Sequence, residues 1–323
     1  MSRPILPALL SLARLTSRSP APGPVSNALQ RAIEKRISNL IGVAFRIVEI
    51  EPRNVLSASP ERTFHRLRLK DVSGSEIDLH VRIQPWRNRW LDVHRLDDYL
   101  TAKGFPTPTC YGSVNDGANV AVLWEYCDGQ TARSFVKASR DQIEATVRAM
   151  ALISARSQDV AEHFRIPTLT RWIEPFAGRI LEQEAEFDGL APYRAGLERL
   201  ASREDAMIER MQSQTLQVLN HNDLVARNTL MMADGSVRIL DWDSATLGPI
   251  GASLRDFAKL EDDAEVADLY GAELRRHGLA ADDQEVRFVM RAQQIFWNLH
   301  IAYRKGLTAK VVNALKVFEK TDV

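Results

Sequence analysis

His221-Asn222-Asp223-Leu224-Val225-Ala226-Arg227-Asn228, followed downstream by Ile239-Leu240-Asp241-Trp242-Asp243, is the stretch on which the reading of the fold turns. Between the two segments, Thr229–Met232 and Val237–Leu240 are β-prone runs around Ala233-Asp234-Gly235, which signals a hairpin. A polar loop therefore leads into a hairpin whose second strand ends on an acid. The turn brings Asp241 back towards the loop that carries Asp223 and Asn228. Phosphoryl transfer requires such a set of groups. Hard oxygen ligands such as Asp and Asn suit Mg²⁺. A further carboxylate orients the accepting hydroxyl and takes its proton.

Working outward, the second half of the chain reads as mainly helical. Ser139 followed by Gln142 has the spacing of a capping box, and Ile143, Val147, Met150, Ala151 and Ile153 share one helical face. Residues 171–212 and 262–318 also have helical character, and Leu216–Leu219 precedes the polar loop. The first half is β-rich. Residues 26–42 (Asn27 to Ile41) form an amphipathic helix. The runs 62–70 and 76–84 flank Val72-Ser73-Gly74-Ser75, and Cys110–Val114 and Ala118–Tyr126 flank Asn115-Asp116-Gly117. A helix at 88–103 stops at Gly104, and Pro106 and Pro108 force an extended segment after it. The expected organisation is a tail at 1–25, a small sheet-bearing lobe at 26–127 and a helical lobe at 128–323.

This pattern resembles the aminoglycoside phosphotransferase and choline kinase superfamily. Its loop reads HxDxxxxN, matched by His221, Asp223 and Asn228. Its metal-binding strand is matched by Leu240-Asp241-Trp242-Asp243. A Gly-Pro turn followed by an acid before an apolar helix start is matched by Gly248-Pro249 and Asp256-Phe257. The resemblance implies an α+β, bilobal, protein-kinase-like fold with a β-rich N-lobe and a larger, mainly helical C-lobe. It implies a kinase that uses ATP and Mg²⁺ to phosphorylate the hydroxyl of a small molecule: an amino alcohol such as choline or ethanolamine, a sugar, or an aminoglycoside. Asp223 would be the base, His221 would brace the loop, and Asn228 and Asp241 would hold Mg²⁺. Asp243 would be a further metal ligand or a cap of the next turn, and Asp256 a structural anchor.

In the first half, Leu79-His80-Val81-Arg82-Ile83 resembles the strand that carries the phosphate-contacting base, here Arg82. The acid expected to pair with it falls near Val93, where Asp92 is the nearest. The nucleotide-covering loop would be Leu56–Thr63, with Ser57 and Ser59 as donors; it has no glycine. The hinge would be Leu123-Trp124-Glu125-Tyr126-Cys127, with backbone groups at Glu125 and Tyr126 reading adenine. The glycine-free loop also motivates a different reading, a nucleotide-binding or regulatory pseudokinase without turnover. Trp297, His300, Ile301 and Arg304 share a helical face that reads as core, although an aromatic wall for a quaternary ammonium would use such residues.

The bulk properties agree. The 323 residues are enough for roughly two lobes of about 150 residues. Net charge is zero, which gives no reason to expect a nucleic-acid partner. No apolar run is long enough to span a bilayer. Cys110 and Cys127 form no metal-type cluster, and two thiols in so long a chain fit a reducing, cytoplasmic setting. The N-terminal segment, with Arg3, Arg14 and Arg18 and no acid before Glu34, reads as a loose tail rather than a cleaved signal.

Overall fold

Ser26 Oγ accepts the Leu29 N–H at 3.1 Å and starts helix α1 (Asn27–Ile41). Gly42, at φ 80°, ends it by donating to the Ser38 carbonyl at 2.8 Å. Leu29, Ile33 and Ile37 recur about once per turn. They are buried against Leu67, Leu69, Leu79, Val81 and Leu123. Burying each such side chain is worth about 1.5–3 kcal/mol.

Those partners belong to an antiparallel sheet of β1 (Phe45–Arg53), β2 (Thr63–Asp71), β3 (Glu76–Pro85), β4 (Cys110–Asn115) and β5 (Asn119–Glu125), in the order β1-β2-β3-β5-β4. The hairpin turns form as their sequences predict. Asp71 accepts the Ser75 N–H at 2.8 Å, and Asp116 accepts the Asn119 N–H at 2.8 Å. Strand β1 was not anticipated; its alternation is interrupted by a register shift between Ile47 and Glu49. Register places Leu67 opposite Leu79 on the α1 side, so Arg66 opposite His80 and Phe64 opposite Arg82 lie on the other face. Helix α2 (Leu91–Ala102) joins β3 to β4.

In this computed structural model, residues 25–53, 61–86, 91–169, 173–214 and 216–321 are described, with the backbone alone at 91–94. The chain forms two compact units. One comprises the chain up to Thr101 with Pro108–Cys127; the other comprises Ala102–Thr107 with the chain from Asp128 onwards. The architecture is the expected mixture of an N-terminal antiparallel sheet and a larger, mainly helical C-terminal region.

The second unit contains α3 (Arg140–Arg156), α4 (Val160–His163), α5 (Phe176–Glu182), α6 (Arg194–Gln212), α7 (Asp263–Arg276), α8 (Asp283–Lys305) and α9 (Thr308–Phe318). Ser139 caps α3 by accepting the Gln142 N–H at 3.2 Å. The reciprocal half of the box is not made, because the Gln142 side chain turns inward and donates to Thr229 Oγ1 at 3.4 Å. Tyr270 Oη donates to Ser154 Oγ at 2.8 Å and ties α7 to α3. Asp263, 2% exposed, takes a bidentate grip from Arg291 at 2.8 and 2.9 Å, joining α7 to α8. No described helix is long and apolar enough to cross a membrane.

Two short antiparallel pairs complete the unit: β6 (Gln217–Asn220) with β9 (Thr246–Pro249), and the hairpin of β7 (Thr229–Met231) with β8 (Val237–Ile239). Gly248-Pro249 is therefore strand rather than turn. A Cβ on Gly248 would lie 2.8 Å from that of Leu169, so the close approach requires glycine. Asp256 does not precede a helix start; it sits inside a 3₁₀ segment, Ala252–Lys259.

Candidate active site

Strand β6 delivers the chain into the polar loop, and a buried amide holds the delivery point. Asn220, fully buried, donates from Nδ2 to the Val218 and Pro249 carbonyls at 3.1 and 3.3 Å. Its Oδ1 accepts Ser253 N–H and Ser253 Oγ–H at 2.9 and 2.8 Å. Ser253 Oγ in turn accepts the His221 N–H at 3.0 Å. The start of the loop is thus fixed to the 3₁₀ segment.

Among the described residues, two that are not glycine are held at positive φ: Asn222 at 54° and Asp241 at 61°. Such conformations persist only where surrounding bonds determine them. For Asn222 those bonds run from Nδ2 to the Ser244 carbonyl at 3.0 Å and to Thr246 Oγ1 at 2.7 Å.

His221 is fully buried. Its Nε2 lies 2.6 Å from the Leu240 carbonyl, which can only accept, so Nε2 carries the proton. Trp242 meets the imidazole edge-on at 4.6 Å. Burial pushes the imidazole down to about 4, against the smaller opposing effect of the Leu240 bond, so the ring is neutral near pH 7.

Asn228 Nδ2 donates to the Asp223 carbonyl at 2.8 Å and to Asp223 Oδ2 at 3.1 Å. The Asn228 carbonyl accepts the Leu240 N–H at 2.8 Å. Leu240 is thus bonded to both His221 and Asn228, and Asp241, the next residue, is brought to the loop with its side chain exposed. With Nδ2 turned to Asp223, Asn228 Oδ1 has no hydrogen bond among the described residues. An amide oxygen and a carboxylate are hard donors of the kind that fits Mg²⁺. Among the described residues no cluster of three or more His, Cys, Asp or Glu could hold a metal. A cation here would draw further ligands from water or a bound phosphate. Asp243 follows within a 3₁₀ turn, Trp242–Ser244.

Asp223 is half-buried and bears two guanidiniums. Arg227 Nη2 reaches Oδ2 at 3.1 Å, and Arg255 Nη2 lies 3.5 Å from Oδ1. Arg255 is 3% exposed and lies over the Trp297 ring at 4.0 Å. Burial draws its guanidinium below the usual arginine range, and Asp256 and Asp223 oppose this. Asp256 itself pairs with Lys259 at 2.5 Å, so the contact with the loop comes from its sequence neighbour. Trp297 is half-buried and its ring also stacks with His300 at 6.1 Å. His300 meets Phe176 edge-on at 5.2 Å, and Phe176 lies 5.7 Å from Tyr303. Sequence periodicity placed Trp297 on a helix but gave no sign of Arg255, which only the packing of the 3₁₀ segment on α8 reveals.

In the first unit, Arg82 is buried in mid-β3 with its guanidinium 5.1 Å from the Trp124 ring centre. Asp97 is a buried acid on α2; the side chain of Asp92 lies outside the described residues, as do Ser57 and Ser59. Glu125 N–H donates to the Thr109 carbonyl at 2.9 Å, and Tyr126 N–H to the Asp78 carbonyl at 3.2 Å. Neither donor is available to a base. The Glu125 carboxylate accepts from Thr109 Oγ1 at 3.0 Å. The Tyr126 ring is covered by Arg66 at 4.2 Å. His80, between Phe64 at 5.7 Å and Trp124 at 6.2 Å, is pushed down to about 4 by burial, with the nearby Arg82 adding to the effect.

The model of the phosphotransferase enzyme family matches residues 20–289. Similar solved structures include a spectinomycin phosphotransferase in complex with ADP and spectinomycin, at 14% identity and TM-score 0.56, covering 88% of this chain and 93% of that one. A choline kinase from Cryptosporidium parvum matches at 14% identity and TM-score 0.55, covering 84% and 89% of the two chains. An aminoglycoside phosphotransferase from Alicyclobacillus acidocaldarius matches at 16% identity and TM-score 0.55, covering 95% and 94%. A comparison with curated proteins found no match. At these identities the likeness speaks to the fold, which is kinase-like.

Proposed function

Because the chain belongs to the phosphotransferase enzyme family, we propose that it is a small-molecule kinase that moves the γ-phosphoryl group of ATP to a hydroxyl, with Asp223 as the base. The observation that carries this reading is the hydrogen-bonded unit of Asp223, Asn228 and Leu240, which ties the loop of the proposed base to the hairpin residue just before Asp241. Asp223 accepts the proton of the acceptor hydroxyl as its oxygen bonds to the γ-phosphorus and the bond to ADP breaks. Asn228 holds Asp223 by Nδ2 and leaves Oδ1 for the cation. Mg²⁺, when bound, would be held by Asn228 and Asp241, with Asp243 as a further oxygen donor, and would neutralise phosphate charge. His221, neutral and fixed to Leu240, braces the hairpin against the loop.

Arg82 is proposed as a phosphate partner, since a guanidinium can fork onto phosphate oxygens. Ser57 and Ser59 are proposed as hydroxyl donors to the same phosphates. Adenine recognition falls to groups of Leu123–Cys127 other than the committed N–H groups of Glu125 and Tyr126.

The test is thermal stabilisation by ATP, with and without Mg²⁺, on the native chain and on Asp241→Ala. A ligand that binds only the folded state at about 100 times its Kd adds roughly 2.7 kcal/mol. The expected result is a Mg²⁺-dependent rise in the native chain that disappears in Asp241→Ala. No rise in the native chain refutes the proposal.

A further inference from the structure

Arg255 has an unmet hydrogen-bonding demand beside the candidate base. A guanidinium offers five N–H donors. This one is 3% exposed, and its Nε is buried without a partner among the described residues. Its ion pair with Asp223 Oδ1, at 3.5 Å, is longer than the roughly 2.7–2.9 Å of a charge-assisted hydrogen bond. Trp297 covers one of its faces at 4.0 Å and brings no acceptor atom. Buried charges are ordinarily paired and hydrogen-bonded, so a guanidinium kept in this condition is suited to an anion that arrives with a ligand.

Asp223 is shared between Arg255 and Arg227, and Asp256, which also attracts the Arg255 guanidinium, is engaged by Lys259 at 2.5 Å. The carboxylates facing Arg255 are thus divided with other cations, and an ammonium-bearing acceptor would meet two guanidiniums beside the one carboxylate they share. Helix α8 adds neutral polar groups. A Cβ at Gly251 would lie 2.8 Å from the Val286 carbonyl, and Arg255 lies on Trp297, so the 3₁₀ segment runs along this length of α8. Gln293 and Gln294 fall within that length, about one turn before Trp297. Both are fully buried, and neither amide finds a partner for its oxygen or its nitrogen among the described residues.

We propose that the acceptor is a hydroxylated anion, a small molecule bearing both the hydroxyl to be phosphorylated and a carboxylate or phosphate group, and that Arg255 binds the anionic group. The hydroxyl lies towards Asp223 and the anion towards the Arg255 guanidinium. The inference rests on the phosphotransfer reading and narrows its acceptor, setting cationic amino alcohols and aminoglycosides aside.

The experiment is calorimetric binding, without nucleotide, of glucose, glucosamine, gluconate and glucose 6-phosphate, which share a hydroxylated skeleton and differ in charge. The native chain is compared with Arg255→Gln and Arg255→Lys. Gluconate or glucose 6-phosphate is expected to bind at least about tenfold tighter than glucose and glucosamine. The tighter of the two tells carboxylate from phosphate. Arg255→Gln is expected to abolish the preference and Arg255→Lys to keep part of it. Should Arg255→Gln fail to fold, the ranking by the native chain decides. Glucosamine binding as tightly as the anions, no anion preference in the native chain, or an unchanged preference in Arg255→Gln would each overturn the proposal. Loss of Mg²⁺-dependent ATP binding with anion binding retained would refute phosphotransfer while leaving the anion site standing.

Discussion

Replacing Glu204 by Gln is expected to stabilise the second unit at about pH 8 and to change it little near pH 4.5. Glu204, on α6, is 1% exposed. Both of its oxygens accept the Ala177 N–H at 2.9 Å, and Oε2 accepts the Gly178 N–H at 3.4 Å, at the start of α5. Burial raises the carboxyl from 4.5 to about 7, outweighing these hydrogen bonds, which favour the charged form. A carboxyl whose proton is held more tightly in the folded state gives stability that is present below the unfolded value and lost as pH rises through the folded one. At 1.36 kcal/mol per pH unit, the window from 4.5 to about 7 corresponds to roughly 3 kcal/mol. His221 biases the native chain in the opposite direction, because its depressed imidazole loses stability as pH falls from 6.5 towards about 4. Taking the variant minus the native chain at each pH removes that contribution and isolates Glu204. Gln keeps an oxygen for the Ala177 N–H; its NH₂ carries two donors against the one of a neutral carboxyl, a pH-independent difference that leaves the growth of the effect with pH unchanged. The assay is urea unfolding followed by far-UV circular dichroism at several pH values. The difference should grow from near zero to about 3 kcal/mol in favour of Gln between pH 4.5 and 8. A flat difference, or a Gln variant less stable at high pH, would show that the helix N–H groups hold this carboxylate ionised and that the burial argument has the wrong sign.

Three further outcomes are expected. Asp223→Asn should lower turnover by about 10²–10⁴-fold while sparing Mg²⁺-dependent stabilisation by ATP, since the group acts on the acceptor proton; near-native turnover would remove Asp223 from the role of base. His221 should stay neutral down to about pH 4, read from its imidazole NMR shifts, and a signal titrating near 6.5 would refute its burial. Gly251→Ala should destabilise the second unit by about 2 kcal/mol or more, because φ is 97° and the added Cβ would lie 2.8 Å from the Val286 carbonyl; unchanged thermal unfolding would show that the segment relaxes at little cost.

Much of the fold was legible because its signals are local. The hairpins were marked by residues that bond their own backbone, Asp71 and Asp116, and α1 by apolar side chains recurring about once per turn between a serine cap and a glycine. Strand β1 was missed because its register shift breaks the alternation that sequence reading relies on. Gly248-Pro249 misled because Gly-Pro usually signals a turn, whereas here the glycine is required by packing against Leu169.

The sequence alone determined which residues could carry the chemistry: a loop with Asp223 and Asn228, a hairpin returning to Asp241, and a β-rich half before a helical one. These follow from spacing and turn chemistry over a few residues. The tertiary structure decided what surrounds them. Asn220 is joined to Ser253, and Arg255 is set on Trp297 beside Asp223, across separations in the chain over which periodicity carries no information. Register, in turn, put Arg82 and His80 on the sheet face opposite α1. Burial then set the charge states, holding His221 neutral and raising Glu204, because the free energy of a charge depends on the packing around it and not on its neighbours in sequence.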